Sequence, residues 1–372
     1  MELSALARTY GDFYAPAYAV RLGRDDLMRD LRVAVSQVEV DLMLGGMSRF
    51  SFTVSNSYDH ESHLFRTGGG ADLLGILTFG LEVEVCLGYG DAKSTPTAIS
   101  GVVTEISTSF PDGGSPELTV AGYDHSFPLT LGKNSRTWKE ARDSDAAHEI
   151  ASYNNLDAVI QTTQEKHAQI EQNQQSDWDF LKKLADSPNF FELYVDEKRR
   201  LHFASPNDTA DAVVRLVYGQ GLLSFKPEAN LAGQIAAVEV YGWNPKTKKA
   251  IVGKAAAGEE SGVAGKTAAN YLNAFVRDPS KKPTLRLRQP VFTQSEAEDR
   301  ARAALNENAK KFVTGEGESI GLPELRPDRT VQLDNLGERF SRKYYIQQAT
   351  HKIDSNGYRT RFKVRTRSYD AR

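Results

Sequence analysis

The sequence predicts a mainly β (α+β) chain, with two small β-barrels flanking a small α/β insert. Three observations carry this. Strand-like alternation fills the first 130 residues and returns after about 206; helical spacing is concentrated between 136 and 205; and one run of β pattern recurs near the C-terminus.

The first segment, 1–135, reads as a barrel. Val38, Val40, Leu42 and Leu44 alternate with Glu39, Asp41 and Met43, then Gly45-Gly46 turns the chain into Phe50, Phe52 and Val54. Such alternation puts one face on a core and the other in water. Val83, Val85 and Leu87 continue it to the turn cluster Gly88–Asp91. A strand from Gly101, the loop Pro111–Gly114 and a strand Glu117–Tyr123 follow.

The second segment, 136–205, reads as the α/β insert. Asp143-Ser144-Asp145 is expected to cap a helix bearing Ala146, Ala147, Ile150 and Ala151. Ser176 is expected to cap another, with Trp178, Leu181, Leu184 and Ala185 on one stripe. Phe190–Val195 and Leu201–Ala204 read as a short hairpin.

The third segment, 206–372, reads as the second barrel. Val213–Val217, Leu222–Phe225 and Ala236–Tyr241 are strand-like, 245–282 reads as a flexible inserted loop rich in Lys, Ala, Gly and Glu, and 295–312 as a helix. Its Glu296 and Glu298 near the start and Lys310-Lys311 at the end suit the helix dipole.

An internal repeat supports the duplication. Val83-to-Tyr123 and Val331-to-Tyr369 share the order Val-x-Val or Val-x-Leu strand, Leu-Gly, strand, glycine, strand, Tyr-Asp. Either the barrel is duplicated, or two ordinary β meanders share this spacing.

Composition narrows the class. The 372 residues are 40% hydrophobic and 26% charged, as in ordinary globular proteins. No apolar run approaches the roughly 20 residues of a membrane span, the N-terminus lacks a signal-peptide pattern, and the single Cys86 allows neither an internal disulfide nor a cysteine zinc site. Synthesis in the cytoplasm is the expectation. The last 92 residues carry 20 Lys+Arg against 12 Asp+Glu, so they are net +8 and the first 280 are net −11. That asymmetry suits nucleic acid, self-stacking or a partner; the near-neutral total disfavours a dedicated nucleic-acid binder.

Searches for chemistry fail. His60 and His63 are i, i+3 beside turn formers, whereas the helical zinc motif needs i, i+4. Gly265-Lys266-Thr267 lacks its first phosphate-loop glycine, since Glu260 stands there. Gly68-Gly69-Gly70 has no dinucleotide spacing, no elbow motif exposes a serine, and Glu82 with Glu84 share one strand face without a readable cleft. No catalytic residue, cofactor or metal is expected. One pattern is unusual. Arg359, Arg361, Lys363, Arg365 and Arg367 alternate with Thr360, Phe362, Val364 and Thr366, lining one strand face with cations. That face either discourages edge aggregation or serves as an interface with an acidic partner or as a lumen wall.

Several segments together resemble the phage late control protein D family, the hub proteins of contractile phage tails and contractile injection systems. They are Val120–Asp124, Gln175–Leu181, Phe191–Val195, the 295–312 helix with Phe312–Gly317, Tyr344–Ile346 and Thr350-His351. The resemblance implies two tube-like β-barrels per chain, and a homotrimer forming a pseudo-hexameric ring that joins a hexameric inner tube to a trimeric spike. It implies a non-enzymatic structural protein of an assembled tail-like particle, with tube, spike and other baseplate proteins as partners. The chain stops after its last barrel strand, so the spike is expected to be a separate protein. Nucleic-acid binding and membrane spanning are not expected. The alternative is a tail-associated cell-wall (glycan) hydrolase, which needs two carboxylates roughly 5–9.5 Å apart across a cleft. A third reading, nucleic-acid binding through the cationic face, would show steep salt dependence.

Overall fold

In a computed structural model, which describes residues 1–186, 190–244, 248–260, 265–289, 291 and 293–370, the alternating segments become the strands of two barrels. The first contains β1 (Pro16–Leu22), β2 (Ala34–Met43), β3 (Arg49–Ser55), β4 (Glu82–Tyr89), β5 (Thr97–Ser109) and β6 (Glu117–Asp124). Their order across the sheet is β1-β4-β5-β6-β3-β2. Val38, Val40, Phe50, Phe52, Val54, Val83, Val85 and Val120 point inward and are buried together. The two end strands are not ladder-paired; the Tyr18 hydroxyl bridges them by donating to the Val35 carbonyl at 2.6 Å.

The insert follows as β7 (Asn134–Ala141), α1 (Asp143–Tyr153), β8 (Asp157–Ile160), β9 (His167–Gln175), α2 (Asp177–Leu184), β10 (Glu192–Val195) and β11 (Arg200–Ala204). Ser176 caps α2 as expected, its Oγ accepting from the Asp179 amide at 3.1 Å. At α1 the cap differs: Arg142 occupies the N-cap, and Asp145 reaches back to accept its amide at 2.8 Å. Trp138 stacks on Phe180 with centroids 5.3 Å apart, inside a core that includes Ile150, Leu181, Leu193 and Phe203.

The second barrel takes β12 (Val214–Tyr218) and β13 (Gly221–Ala229) before the chain leaves it. The excursion is an arm: β14 (Ala237–Asn244), β15 (Lys249–Ala256), α3 (Ala268–Phe275), β16 (Thr284–Arg288) and α4 (Gln294–Ala309). The stretch expected to be a flexible loop, 245–282, therefore holds a strand and a helix among its described residues. Alanine misled the reading. Ala255 and Ala269 fill a small-residue core with Ala297, Ala301 and Leu305, while Ala268 joins the core of the second barrel, and burial of methyl groups leaves little pattern in a hydropathy profile. The chain returns as β17 (Val313–Ile320), β18 (Thr330–Asp334), β19 (Arg342–Asp354) and β20 (Gly357–Thr366). The cycle β12-β18-β19-β20-β17-β13 closes, which removes its edges. A short N-terminal helix, Leu3–Thr9, buries Leu6 in this second core rather than the first.

The two barrels repeat. Numbered in chain order within each barrel, both read 1-4-5-6-3-2 around the sheet. Both also carry a register slip between strands five and six, at Val103/Glu105 and at Ile346/Gln348. The first strand departs from the repeat: β1 runs antiparallel to β4, whereas β12 runs parallel to β18. The connection between strands two and three is a tight glycine turn in the first barrel; in the second it is the entire arm.

Candidate functional site

β19 makes the two barrels one surface. On one side it pairs with β20 from Tyr345 to Asp354, and on the other with β2 from Gln348 to Ile353. Eight strands, β5-β6-β3-β2-β19-β20-β17-β13, thus form a continuous sheet spanning both barrels. Their inward side chains fill the two cores, and the outward ones form a single polar face.

All of the sequence-predicted site residues lie on or just past β20. Arg359, Arg361 and Lys363 point outward and are exposed, whereas Phe362 and Val364 between them are buried. The strand is not an edge, however, since β17 and β19 flank it, so protection of a free edge does not explain its charges. Direct cross-strand neighbours run Ser224, Glu318, Arg361, Thr350, Asp41, Arg49. The next row runs Lys226, Glu316, Lys363, Gln348, Met43. Arg361 Nε lies 2.9 Å from Glu318, Lys363 3.8 Å from Glu316, and Arg49 2.9 Å from Glu105. Asp41 accepts from Gln348 Nε2 at 2.8 Å and Thr350 Oγ1 at 2.8 Å. A groove of about 520 Å³ lies along these rows over β13, β17, β20 and β19. It is a wetted, sign-alternating surface rather than a cationic one. Arg359 makes no ion pair among the described residues.

Arg365 and Arg367 belong to a different environment. Arg365 pairs with Glu192 of β10 at 2.6 Å and sits over the Tyr345 ring at 4.8 Å. Arg367 pairs with Asp208. Glu192 also faces the nearly buried Lys310 ammonium at 3.7 Å, which reaches Glu307 at 2.7 Å. Close by, Asp328 accepts from the hydroxyls of Tyr194 at 3.0 Å and Tyr345 at 2.8 Å; burial first, then the neighbouring carboxylates, hold both phenols well above their usual range. One strand of the insert is thereby bonded to the second barrel and to the arm. Sequence reading missed Glu192, Lys310 and Asp328, because the contacts that join the insert to the rest, Glu192 with Arg365 and Lys310 and Asp328 with Tyr194, each span more than a hundred residues and carry no local signal.

Two buried groups support the core. His351 on β19 is enclosed; its Nε2 lies 3.0 Å from the Leu325 carbonyl and its Nδ1 2.9 Å from the Tyr358 hydroxyl. Burial, then the Arg326 charge, lowers its pKa to about 3, so the ring is neutral and Nε2–H donates to the carbonyl. Asp124, at the end of β6, accepts from the Ser48 and Ser126 amides at 2.9 Å each, and burial pushes its pKa up to about 6.

The zinc-like motif at 59–63 is a turn in which Asp59 accepts from the Glu61 amide, Ser62 and Arg66. Thr267 caps α3, and its Oγ1 donates to Glu260 at 2.5 Å; residues 261–264 of that candidate loop lie outside the described residues. Glu82 pairs with Arg199 of the insert at 2.9 Å. Among the described residues, no cluster of three or more His, Cys, Asp or Glu is placed to hold a metal ion, and no helix is long and apolar enough to cross a membrane.

A family model described as the Alg8 N-terminal domain matches residues 32–355. The chain belongs to that family. No curated protein matches the sequence. Among solved structures, the 43 kDa tail protein of prophage MuSo2 from Shewanella oneidensis superposes with a TM-score of 0.69 at 12% identity, covering 94% of this chain and 98% of that one. The tail protein from Neisseria meningitidis MC58 gives 0.68 at 13%, with coverages of 95% and 97%. An E. coli protein, c3393, described as a type VI secretion component with structural similarity to the bacteriophage T4 tail proteins gp27 and gp5, gives 0.56 at 11%, with coverages of 95% and 79%. At these identities the likeness is one of fold: the chain has the fold of phage tail proteins.

Proposed function

We propose that this chain is a structural hub subunit of a phage tail or contractile injection system, of the late control protein D type. Three copies form a pseudo-hexameric ring between a hexameric inner tube and a trimeric spike. The observation that carries this reading is the duplicated barrel with one shared sheet. A chain holding two barrels of the same strand order offers six similar units as a trimer, and so satisfies both a sixfold and a threefold neighbour. The hairpin at 58–65, packed on Phe110, the loop 110–116 and the turn at 354–357 lie at one end of the shared sheet; the glycine turn at 45–46, the insert and the arm lie at the other. Two chemically different poles suit two different neighbours.

The reading is non-enzymatic. The carboxylates that line the groove, Glu316 and Glu318, are engaged by Lys363 and Arg361, and Asp41 on the neighbouring strand by Gln348 and Thr350, which disfavours the glycan-hydrolase alternative. Arg359, Arg361 and Lys363 are assigned to a wall of the lumen. Charge-alternating, hydrated rows give a passing cargo little to adhere to. Reversing Arg361 and Lys363 to Glu is expected to leave the ring intact and impair cargo passage; unchanged passage would remove the assignment.

The hub itself is tested by native mass across a concentration series, alone and with the spike protein. A species near 123 kDa, three times 41.1 kDa, followed by images of a six-unit ring, is the expected result. A stable dimer, or location away from a tube–spike junction in the particle, sinks it.

A further inference from the structure

One strand edge on each barrel lacks a partner. β5 gives its first half, Thr97 to Val102, to β4, while on that same side residues 104–109 pair with nothing among the described residues. β13 gives Gly221 and Leu222 to β12, and on that side residues 223–229 are likewise unpaired among the described residues. Both stretches reach solvent: Ser107 and Ser109 are exposed, as are Ser224, Lys226 and Glu228. An open, exposed edge is a template for another strand. β5 and β13 are the two outer strands of the eight-strand sheet, so they do not meet within one chain.

Their counterparts do meet. β19 holds the fifth place in its barrel, as β5 does, and β2 the second, as β13 does. β19 gives its first residues to β18 and its later ones, Gln348–Ile353, to β2. Register slips fix the match residue by residue. The slip at Ile346/Gln348 on β19 corresponds to that at Val103/Glu105 on β5. The slip at Val35/Gln37 on β2 corresponds to that at Leu222/Ser224 on β13. Thr108 then stands in the place of His351, and Pro227 in the place of Val40, the residue His351 faces. Phe110 likewise takes the place of Ile353. Ile353 is 5% exposed, because it enters the core of the barrel across the seam. Phe110 is 61% exposed. A large aromatic therefore lies open where its counterpart is covered by a neighbouring barrel.

We propose that β13 of one copy pairs antiparallel with β5 of the next, in the register of β2 with β19, so that one sheet runs around the whole ring. This register sets Glu228 against Ser107 and Lys226 against Ser109, and buries Phe110 in the next copy's second barrel beside Phe225. The Asn230 amide bonds the Phe312 carbonyl at 3.0 Å, so by alternation Phe225, Pro227 and Ala229 turn their backbone groups to the open edge. Pro227 has no N–H, and the ladder lacks one bond there, which an edge position tolerates. Each barrel then meets its neighbours alike within and between chains, and each pole stays at its own end of the ring. Two different patches of identical chains are joined, a heterologous contact that closes as a ring. The inference rests on the hub reading for the number of copies.

The test is a disulfide. Glu228 and Ser107 form a pair whose backbone groups turn away from each other, the closer kind of antiparallel pair and within reach of a disulfide. Oxidised Ser107→Cys/Glu228→Cys chains are expected to give a closed covalent trimer on non-reducing gels; the native Cys86 is buried. Ser107→Cys/Ser224→Cys chains, four residues or about 13 Å off register, are expected to link on the order of tenfold less. Phe110→Asp chains should keep the native circular dichroism spectrum and need on the order of tenfold more protein to assemble. A trimer whose matched cysteines stay unlinked, or link no better than the offset pair, overturns the pairing and leaves the hub reading standing. A chain that stays monomeric even with its spike overturns both.

Discussion

Replacing His351 changes the acid stability of the second barrel by an amount that the structure sets. The folded pKa of about 3 lies below the ordinary value of 6.5, so between those values the folded state binds fewer protons than the unfolded chain. Its contribution is fully present above about pH 6.5 and is lost as the pH falls toward 3, at ~1.4 kcal/mol per pH unit. From about pH 7.5 to about pH 4.5 this one ring removes ~2.7 kcal/mol. His125, lowered to about 4 chiefly by burial, acts in the same direction. Asp124 acts oppositely: its folded pKa of about 6 exceeds the ordinary 3.8, so its contribution is present below 3.8 and is lost as the pH rises through 6. Both are common to wild type and His351→Gln, and the comparison isolates His351. Glutamine keeps a donor for Leu325 and an acceptor for Tyr358, so the variant should fold. Urea unfolding, followed by amide exchange in 342–366, should show the variant losing about 2.7 kcal/mol less than wild type over that pH range. Equal losses would mean that His351 is solvated or already charged, and would refute the enclosed, neutral ring.

Two further outcomes test the packing. A Cβ at Gly122 would lie 2.0 Å from the Val102 carbonyl and 2.6 Å from the Phe50 ring; Gly122→Val should cost roughly 3 kcal/mol or abolish soluble expression, and a melting temperature within about 2 °C of wild type would contradict the register of β3, β5 and β6. Glu192→Gln removes the carboxylate that Arg365 and Lys310 share; the loss should be on the order of 3 kcal/mol, with faster amide exchange in 190–204 and 294–312, whereas unchanged exchange would show the insert held by its apolar contacts alone.

The likeness to tail proteins at 12–13% identity fits what keeps such a fold. A barrel needs alternation, glycines where rings lie against strands, and bulges that turn its corners, and many sequences meet those needs. Gly315 and Gly317 illustrate this, with the Phe225 ring over the place a side chain would take at the first and the Phe362 ring over it at the second.

Local chemistry was enough to reveal the strands, the glycine turn at 45–46, the Ser176 cap and the repeat, because period-2 alternation and capping act over a few residues. It also placed Arg359, Arg361 and Lys363 on one exposed face, whereas Arg365 and Arg367, expected beside them, turn to Glu192 and Asp208. It did not reveal their neighbours. Whether Arg361 faces water, Glu318 or a partner depends on which strand the chain later laid beside it. Arg365 meets Glu192 across 173 residues of sequence, a pairing that only closure of the barrel and docking of the insert create. The arm stayed hidden for a related reason. Half of its buried core is alanine, which gives little hydropathy contrast, and β14 and β16 became neighbours only through tertiary packing. Sequence by itself determined the period and sign of each strand face; the tertiary structure decided which faces meet, because ion pairing and burial depend on distance in space rather than along the chain.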